Sequence, residues 1–577
     1  MPDQKNLILA VVLSLLVIVG FEFLWPKPEP QSTPQEVSQT QRAPGGDVPA
    51  PGSVAAPGGV AAPGGDTAAP GSPEARQSVL AATPRVAIKT PSLEGSINLT
   101  GGKFDDLVMR DYRVEPSKAA ENIHLLSPRG TAEPYYGEYG WVAGTQDLNV
   151  PNGDTVWQAD SEVLTPDSPV TLTWDNGQGL LFSRKVEVDA DYMFTINETV
   201  TNQGASAATL YPYGLLARGY RPKTIDFYIL HEGPLGVFDS TLKEMKYKDL
   251  EEEGRVEVTS TGGWIGITDK YWLTALDFPR DTATTARFMH RQADGRPRYQ
   301  VDFLGAAHTV EPGQTTTLSH DFFAGAKELR ILDHYAEARN IDRFDLAIDF
   351  GWFYFLTKPF AYALLWLQGF LGNAGLAIIA FTFALRLLLF PLANKSYKSM
   401  SKMKALQPDM KALQERFKDD RQRLNQEMMA LYKTKGVNPV SGCLPILVQI
   451  PIFFALYKVL FVSIEMRHAP FYGWIHDLSA PDPTSLFNLF GLIPWDPPTF
   501  LMIGVWPLIM GVTMFAQQKL NPAPADPMQA KIMMWLPVIF TVMLASFPAG
   551  LVIYWATNNT LSVAQQWVIM KRMGVKI

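Results

Sequence analysis

The sequence predicts a membrane α-helical bundle of six transmembrane helices joined to a large all-β domain. Three observations predict it. The 577 residues are 47% hydrophobic and 19% charged, and the long apolar runs are confined to residues 7–25 and to the part after 350. Between them lies a polar stretch with the short-period patterning of strands. Charge is also divided by sign, which the net charge of −7 conceals. Residues 26–350 carry 29 Lys+Arg against 45 Asp+Glu, whereas residues 393–440 carry 11 against 5. Lys and Arg are retained on the cytoplasmic side, so the two segments are expected on opposite sides of a membrane.

The elements follow in chain order. Residues 1–6 form a cytoplasmic N-terminus. Residues 7–25, LILAVVLSLLVIVGFEFLW, hold one charge, Glu22, and at ~1.5 Å per residue nearly cross a ~30 Å hydrocarbon layer. No small-x-small cleavage site follows and the run ends in Phe21, Phe23, Leu24 and Trp25, so an uncleaved anchor is expected rather than a signal peptide. Residues 26–80 are rich in Pro, Ala and Gly with almost no large apolar side chains, which predicts a disordered tether.

From 81 to 345 the chain reads as an antiparallel β-sandwich. Tyr192, Phe194 and Ile196 alternate with Met193, Thr195 and Asn197, and Asp189-Ala190-Asp191 separates them from Val186 and Val188, the pattern of a hairpin. Trp141, Trp157, Trp174, Trp264 and Trp272 are expected in its core. No nucleophile–base pair or phosphate loop is visible, so no enzyme is expected. The eight histidines form no HExxH or Cys/His cluster, the single Cys443 excludes an internal disulfide, and no metal or other cofactor is implied.

Residues 350–371 contain Trp352, Phe353, Phe355, Phe360 and Trp366 and are interrupted by Lys358-Pro359, which suits an amphipathic helix lying in the interface. An odd number of crossings must then separate the acidic and basic segments. The spans are expected at 373–392, 440–465, 498–517, 531–547 and 551–570. The connections are a cytoplasmic hairpin at 393–439, an outer loop at 466–497, a cytoplasmic loop at 518–530 and a cytoplasmic tail at 571–577. In the hairpin, Met403, Leu406, Met410, Leu413 and Phe417 are spaced 3-4-3-4, and Leu424, Met428 and Leu431 continue 4-3. This predicts two amphipathic helices with a shared apolar seam, the first kinked at Pro408. Its basic residues, Lys398, Lys402, Lys404, Lys411, Arg416, Lys418, Arg421 and Arg423, either only retain the segment inside or also contact anionic lipid heads, ribosomal RNA or a targeting factor. Composition leaves both open.

Arg386 lies within the 373–392 span, ~20 Å along a helix from Asn373. A cation there costs ~2.5–3.5 kcal/mol on insertion scales, so it either faces protein or water or snorkels to the cytoplasmic heads. Thr382 is four residues earlier on the same face. On the last span Tyr554, Asn558, Ser562 and Gln565 recur at 4-4-3 spacing, and Gln449 adds a polar group on the third. No carboxylate lies in the middle of any span, and a hydrated pocket is expected around Arg386.

The segments TFALRLLLFPL (382–392), QPDMKALQERFKDDRQRLNQEMMALYK (407–433), GVNPVSGCLPILVQIPIFFALY (436–457), WIHDLSAPDP (474–483) and FPAGLVIYW (547–555) closely resemble the YidC insertases of Gram-negative inner membranes. The resemblance runs through residues 345–570. It implies a periplasmic domain of supersandwich type and an insertase core of five spans around a hydrophilic groove. It also implies that Arg386 receives the polar tails of nascent membrane proteins, with Thr382, Gln449, Tyr554, Trp555, Asn558 and Ser562 lining the groove. Met533, Met534 and Met543 then form a slide for the substrate's apolar segment, or are plain lipid-facing filler. The implied partners are nascent membrane proteins, membrane lipids and the Sec translocon (SecYEG and SecDF), with the ribosome and the signal recognition pathway reached through the hairpin. Two other functions compete. An anion or proton-coupled transporter lacks paired inverted repeats and an intramembrane carboxylate, and a membrane-anchored carbohydrate-active enzyme lacks a carboxylate pair.

Overall fold

The computed structural model describes residues 73–225, 230–293, 295–417, 420–437, 444–493, 495, 497–498, 501–521 and 527–574. The expected anchor at 7–25 and the tether up to residue 72 lie outside them. The last part of the expected tether is a helix, α1 (Pro73–Ala81), tied down where Arg76 meets Asp106 and donates from Nη1 to Ser127 Oγ at 3.0 Å.

Strands from Arg85 to Ala326 form two sheets, of eleven and nine strands among the described residues, interrupted by the short helix α2 (Tyr247–Glu253). Pairing is antiparallel throughout except where Ala87 and Ile88 run parallel to Val163 and Leu164. The expected hairpin is present: Met193–Asn202 pairs with Leu180–Val188, Phe194 opposite Val188. Its buried positions alternate, so Phe194, Ile196 and Val200 face the core, where Phe194 packs beside its strand neighbour Phe322 and meets Phe104 of the opposite sheet. Trp141, Trp157 and Trp264 are buried and Trp174 and Trp272 pack at the core's edge.

After the sheets come α3 (Leu329–Ala338), a 3₁₀ turn at Phe344–Ala347, and α4 (Tyr354–Leu371), with Thr357, Ala361 and Leu364 buried and Trp352, Phe355, Trp366 and Phe370 exposed. Lys358 Nζ binds Asp333 Oδ1 and Asp345 Oδ2, each at 2.9 Å, and so clamps α4 to α3 and the turn. Then follow α5 (Ala374–Leu388), α6 (Phe390–Ala405), α7 (Gln407–Arg416), α8 (Arg421–Thr434), α9 (Leu444–Val462), α10 (Val505–Leu520), α11 (Pro527–Leu544) and α12 (Ala549–Arg572). One apolar core is continuous from the sheets into α5, α9 and α12.

The helix boundaries differ from the expected spans in three places. The 373–392 helix breaks at Leu389, where α5 and α6 meet at 69°. Pro391 lacks the N–H that would continue α5, and fits the first turn of α6, where that donor is not needed. Pro408 acts likewise at the start of α7, so the first hairpin helix is divided at Leu406 instead of kinked. The helix expected at 498–517 starts at Val505, because Asp482 Oδ2 accepts from Trp506 N at 2.9 Å and Thr484 Oγ1 from Val505 N at 3.0 Å. Among the described residues no single helix is long and apolar enough to cross a membrane, although α5 and α6 meet the length and composition together. The hairpin seam is built as Met403, Leu406, Met410, Met428 and Leu431, joined by Val437 and Tyr432.

Candidate functional site

Arg386 lies in the last turn of α5, where a cation complements the helix dipole, and is half-buried against α12. Its Nε donates to Asn558 Oδ1 at 2.9 Å, and its Nη2 to the Asn558 carbonyl at 3.3 Å and to Ser562 Oγ. Ser562 Oγ itself donates to the Asn558 carbonyl at 2.7 Å. Asn558 and Ser562 are one turn apart on α12 and so present their side chains to the same neighbour. Every partner of Arg386 is neutral: among the described residues no carboxylate pairs with it, and Nη1 makes no hydrogen bond. The guanidinium is held in place while its charge stays uncompensated.

The other expected residues fall into two groups. Gln449 on α9 donates from Nε2 to Tyr554 Oη on α12 at 2.7 Å, and Trp555 lies between Phe453 of α9 (ring centroids 4.5 Å apart) and Phe540 of α11 (6.2 Å). These residues join the helices on either side of α12. Thr382 is closed inside the packing, 1% exposed, and its hydroxyl donates back to the Ile378 carbonyl at 2.7 Å, so it gives Arg386 no second polar partner. Tyr554, also 1% exposed, does not open onto a surface.

The polar stripe on α12 reaches Gln565, whose Nε2 is buried, and Gln566 beside it. Gln566 is 1% exposed and donates from Nε2 to the Leu520 carbonyl at 3.1 Å and to Asn521 Oδ1 at 3.2 Å. Positions 554, 558, 562 and 566 keep a strict four-residue step, which was readable in the sequence. Among the described residues Asn559 Nδ2, Gln565 Nε2 and Gln566 Oε1 are buried without partners, a polar surplus that water or a substrate group can satisfy.

On α11, Met534 and Met543 are exposed beside Trp535, Ile539 and Val542, while Met533 is half-buried and its carbonyl accepts from Gln518 Nε2. Lys398, Lys402, Lys411, Arg416 and Arg423 are exposed on α6, α7 and α8. Lys404 is half-buried, donates to the Lys519 carbonyl at 3.2 Å, and has its pKa lowered by burial. Lys418 and the side chain of Arg421 lie outside the described residues. Arg416 and Arg423 both sit over the Phe417 ring, 5.6 and 5.5 Å from its centroid. Phe417 thus fastens the turn between α7 and α8, a role its place in the apolar spacing did not reveal.

Two protein families match the chain: the YidC periplasmic domain over residues 85–363, and the 60Kd inner membrane protein over residues 366–576. A protein of Methylobacterium radiotolerans named membrane protein insertase YidC is 48% identical over 592 residues, covering 100% of this chain and 96% of its own length. One of the same name from Beijerinckia indica is 50% identical over 586 residues, covering 100% of this chain and 97% of its own. The chain belongs to the YidC family of membrane protein insertases. A solved structure titled as an active YidC insertase with the first transmembrane domain resolved aligns over 83% of this chain and 92% of that one, at 17% identity and a TM-score of 0.34. The assignment rests on the sequences. The sheets with α2 and α3 are therefore a YidC periplasmic domain, and the chain from residue 366, near the end of α4, belongs to the 60Kd inner membrane protein family. Insertase names a non-enzymatic role, in a family of the inner membrane.

Proposed function

We propose that the chain inserts membrane proteins by receiving a substrate's polar tail at Arg386 and releasing its apolar segment sideways into the inner membrane. The observation that carries this reading is the neutral setting of Arg386: Asn558 and Ser562 orient the guanidinium without neutralising it, and Nη1 has no partner among the described residues. An acidic or polar tail supplies the missing partner. Attraction between unit charges rises as the effective dielectric falls, so a semi-enclosed groove strengthens it relative to open water. Polar groups in that groove, Gln449, Asn558, Ser562 and the surplus at Asn559 and Gln566, reduce the desolvation penalty of moving a tail inward. The apolar segment passes by Trp555 and along the exposed face of α11 with Met534 and Met543. Its burial in lipid drives the step, at about 25 cal/mol per Å².

In this reading the chain has six spans with both termini cytoplasmic, the helices α5 to α12 supplying five of them and α4 lying in the outer interface. It acts alone on small substrates, and as a chaperone beside the Sec translocon on larger ones. The exposed lysines and arginines of α6 to α8 recruit lipid heads or the ribosome and signal recognition pathway. Photocrosslinking tests the groove: probes at positions 386 and 555 are expected to capture a nascent single-span substrate with an acidic tail, well above a probe at exposed Val512 of α10. Equal capture at all three positions would reject it.

A further inference from the structure

A second uncompensated cation lies in the periplasmic domain, far in sequence from Arg386. Lys103 is 9% exposed, and its Nζ has a single hydrogen-bond partner, the Gly153 carbonyl at 3.1 Å. Among the described residues it has no ion pair. Glu138, the carboxylate that pulls on it most, is held instead by Tyr213 Oη at 2.8 Å. One carbonyl is poor compensation for a buried ammonium, which elsewhere in proteins is paired or neutralised. Lys103 is kept there by the backbone: Gly101, at φ +81°, leaves room for the amine where a Cβ would lie 2.9 Å from Nζ.

The amine borders a cavity of about 170 Å³. Val79 of α1 forms one wall, and Arg85, Lys103, Asp105, Arg129 and Tyr136 supply the polar lining. The lining is rich in donors. Arg85 is neutralised by Asp105, but among the described residues Arg129 has no ion pair: its Nε donates to Tyr136 Oη at 2.8 Å, and Arg298 Nη2 donates to the same oxygen at 2.5 Å. With two guanidinium groups on its oxygen, the Tyr136 hydroxyl is left as a donor. Two unpaired cations and a hydroxyl proton therefore converge on a space large enough for a small molecule, with few acceptors to match them.

We infer that this cavity binds an anion, the phosphate or carboxylate group of a small ligand, with Lys103 and Arg129 as its charge partners and Tyr136 as a further donor. Bidentate and charge-assisted geometry of this kind is how Arg and Lys recognise such groups. The wall formed by α1 gives the site a consequence. Arg76 fixes α1 to Asp106 and Val79 rests against Gly130, so an occupied cavity holds α1, and with it the end of the preceding segment, to the domain.

The test is calorimetric titration of the purified full-length protein with inorganic phosphate at constant ionic strength, with chloride as the control anion. Saturable phosphate binding is expected, weakened about tenfold or more by Lys103→Met and by Arg129→Gln. Lys248→Gln, exposed on α2 and outside the cavity lining, should bind as the parent does. Titration in nanodiscs with and without phosphatidylglycerol distinguishes the source: phosphate binding suppressed only by the anionic lipid assigns the cavity to a headgroup, and unchanged binding assigns it to a soluble ligand. Melting temperatures without phosphate show whether each variant is folded. No saturable binding by the folded parent, or the same affinity in both cavity variants, would overturn the inference.

Discussion

The periplasmic domain and the helical half treat buried arginines in opposite ways. In the domain, Arg184 pairs with Glu198 at 2.8 Å, Arg218 with Asp269 at 2.7 Å and Arg287 with Asp302 at 2.6 Å. Each guanidinium is 4% exposed or less and each is neutralised where it lies. In the helical half, Arg386 is held, among the described residues, by an amide, a carbonyl and a hydroxyl alone. A paired charge has its field cancelled locally and acts as a structural link, whereas a charge oriented by neutral dipoles remains available to something that arrives later. The three paired arginines hold the fold, and Arg386 is the one to which the proposed function assigns the substrate. Two buried lysines of the domain depart from the pattern: among the described residues neither Lys103 nor Lys327 has an ion pair, Lys103 donating to the Gly153 carbonyl at 3.1 Å and Lys327 to Thr268 Oγ1 at 2.8 Å.

The largest effect should come from breaking a paired cation. Arg184→Met leaves Glu198 buried and alone, and is expected to destabilise the protein by about 3–5 kcal/mol in chemical denaturation. The double variant Arg184→Met/Glu198→Leu should regain most of that loss. If the double variant is as unstable as the single one, the pair is not the structural unit described here.

A second effect concerns a carboxylate pair. Burial, and next the charge of Asp321, push Asp277 up to about 8 from 3.8. In the fold it is protonated where the unfolded chain has already lost the proton, so stability falls as pH rises from about 4 to about 8 and then levels. Asp277→Asn should flatten that slope in melting temperatures measured across the range. An unchanged slope would assign the pH dependence elsewhere.

The smallest effect is at the neutral partners. Asn558→Ala removes charge-assisted hydrogen bonds worth about 1.5–3 kcal/mol at most, and insertion of an acidic-tailed substrate should drop severalfold. The loss should not add to that of Arg386→Ala, because both act through one guanidinium. Additive losses would mean that Asn558 contacts substrate independently.

Much of the site was legible because helical spacing is local. The four-residue step through Tyr554, Asn558 and Ser562 and the isolated charge at Arg386 are visible in a short window, and together they placed two facing polar surfaces. Gln566, which extends the same four-residue step beside Gln565, was overlooked. What sequence could not supply was set by distant residues. The start of α10 depends on Asp482 and Thr484, more than twenty residues upstream, and Arg218 finds Asp269 only through the sheets. The breaks at Leu389 and Leu406 have local causes in Pro391 and Pro408, but proline is equally at home in a kink and in the first turn of a new helix. In the periplasmic domain the period-2 hairpin was plain, whereas the pairing of its buried charges was not.

The most direct test of the central claim is an insertion assay in which only tail charge and residue 386 vary. Substrates with acidic or neutral tails of equal length are offered to the parent, Arg386→Lys and Arg386→Ala, and tail translocation is read by protease protection. Arg386→Ala is expected to lose the acidic-tailed substrate by about tenfold or more, Arg386→Lys to retain most of it, and the neutral-tailed substrate to change little. Equal translocation of acidic tails by Arg386→Ala and the parent would contradict the claim.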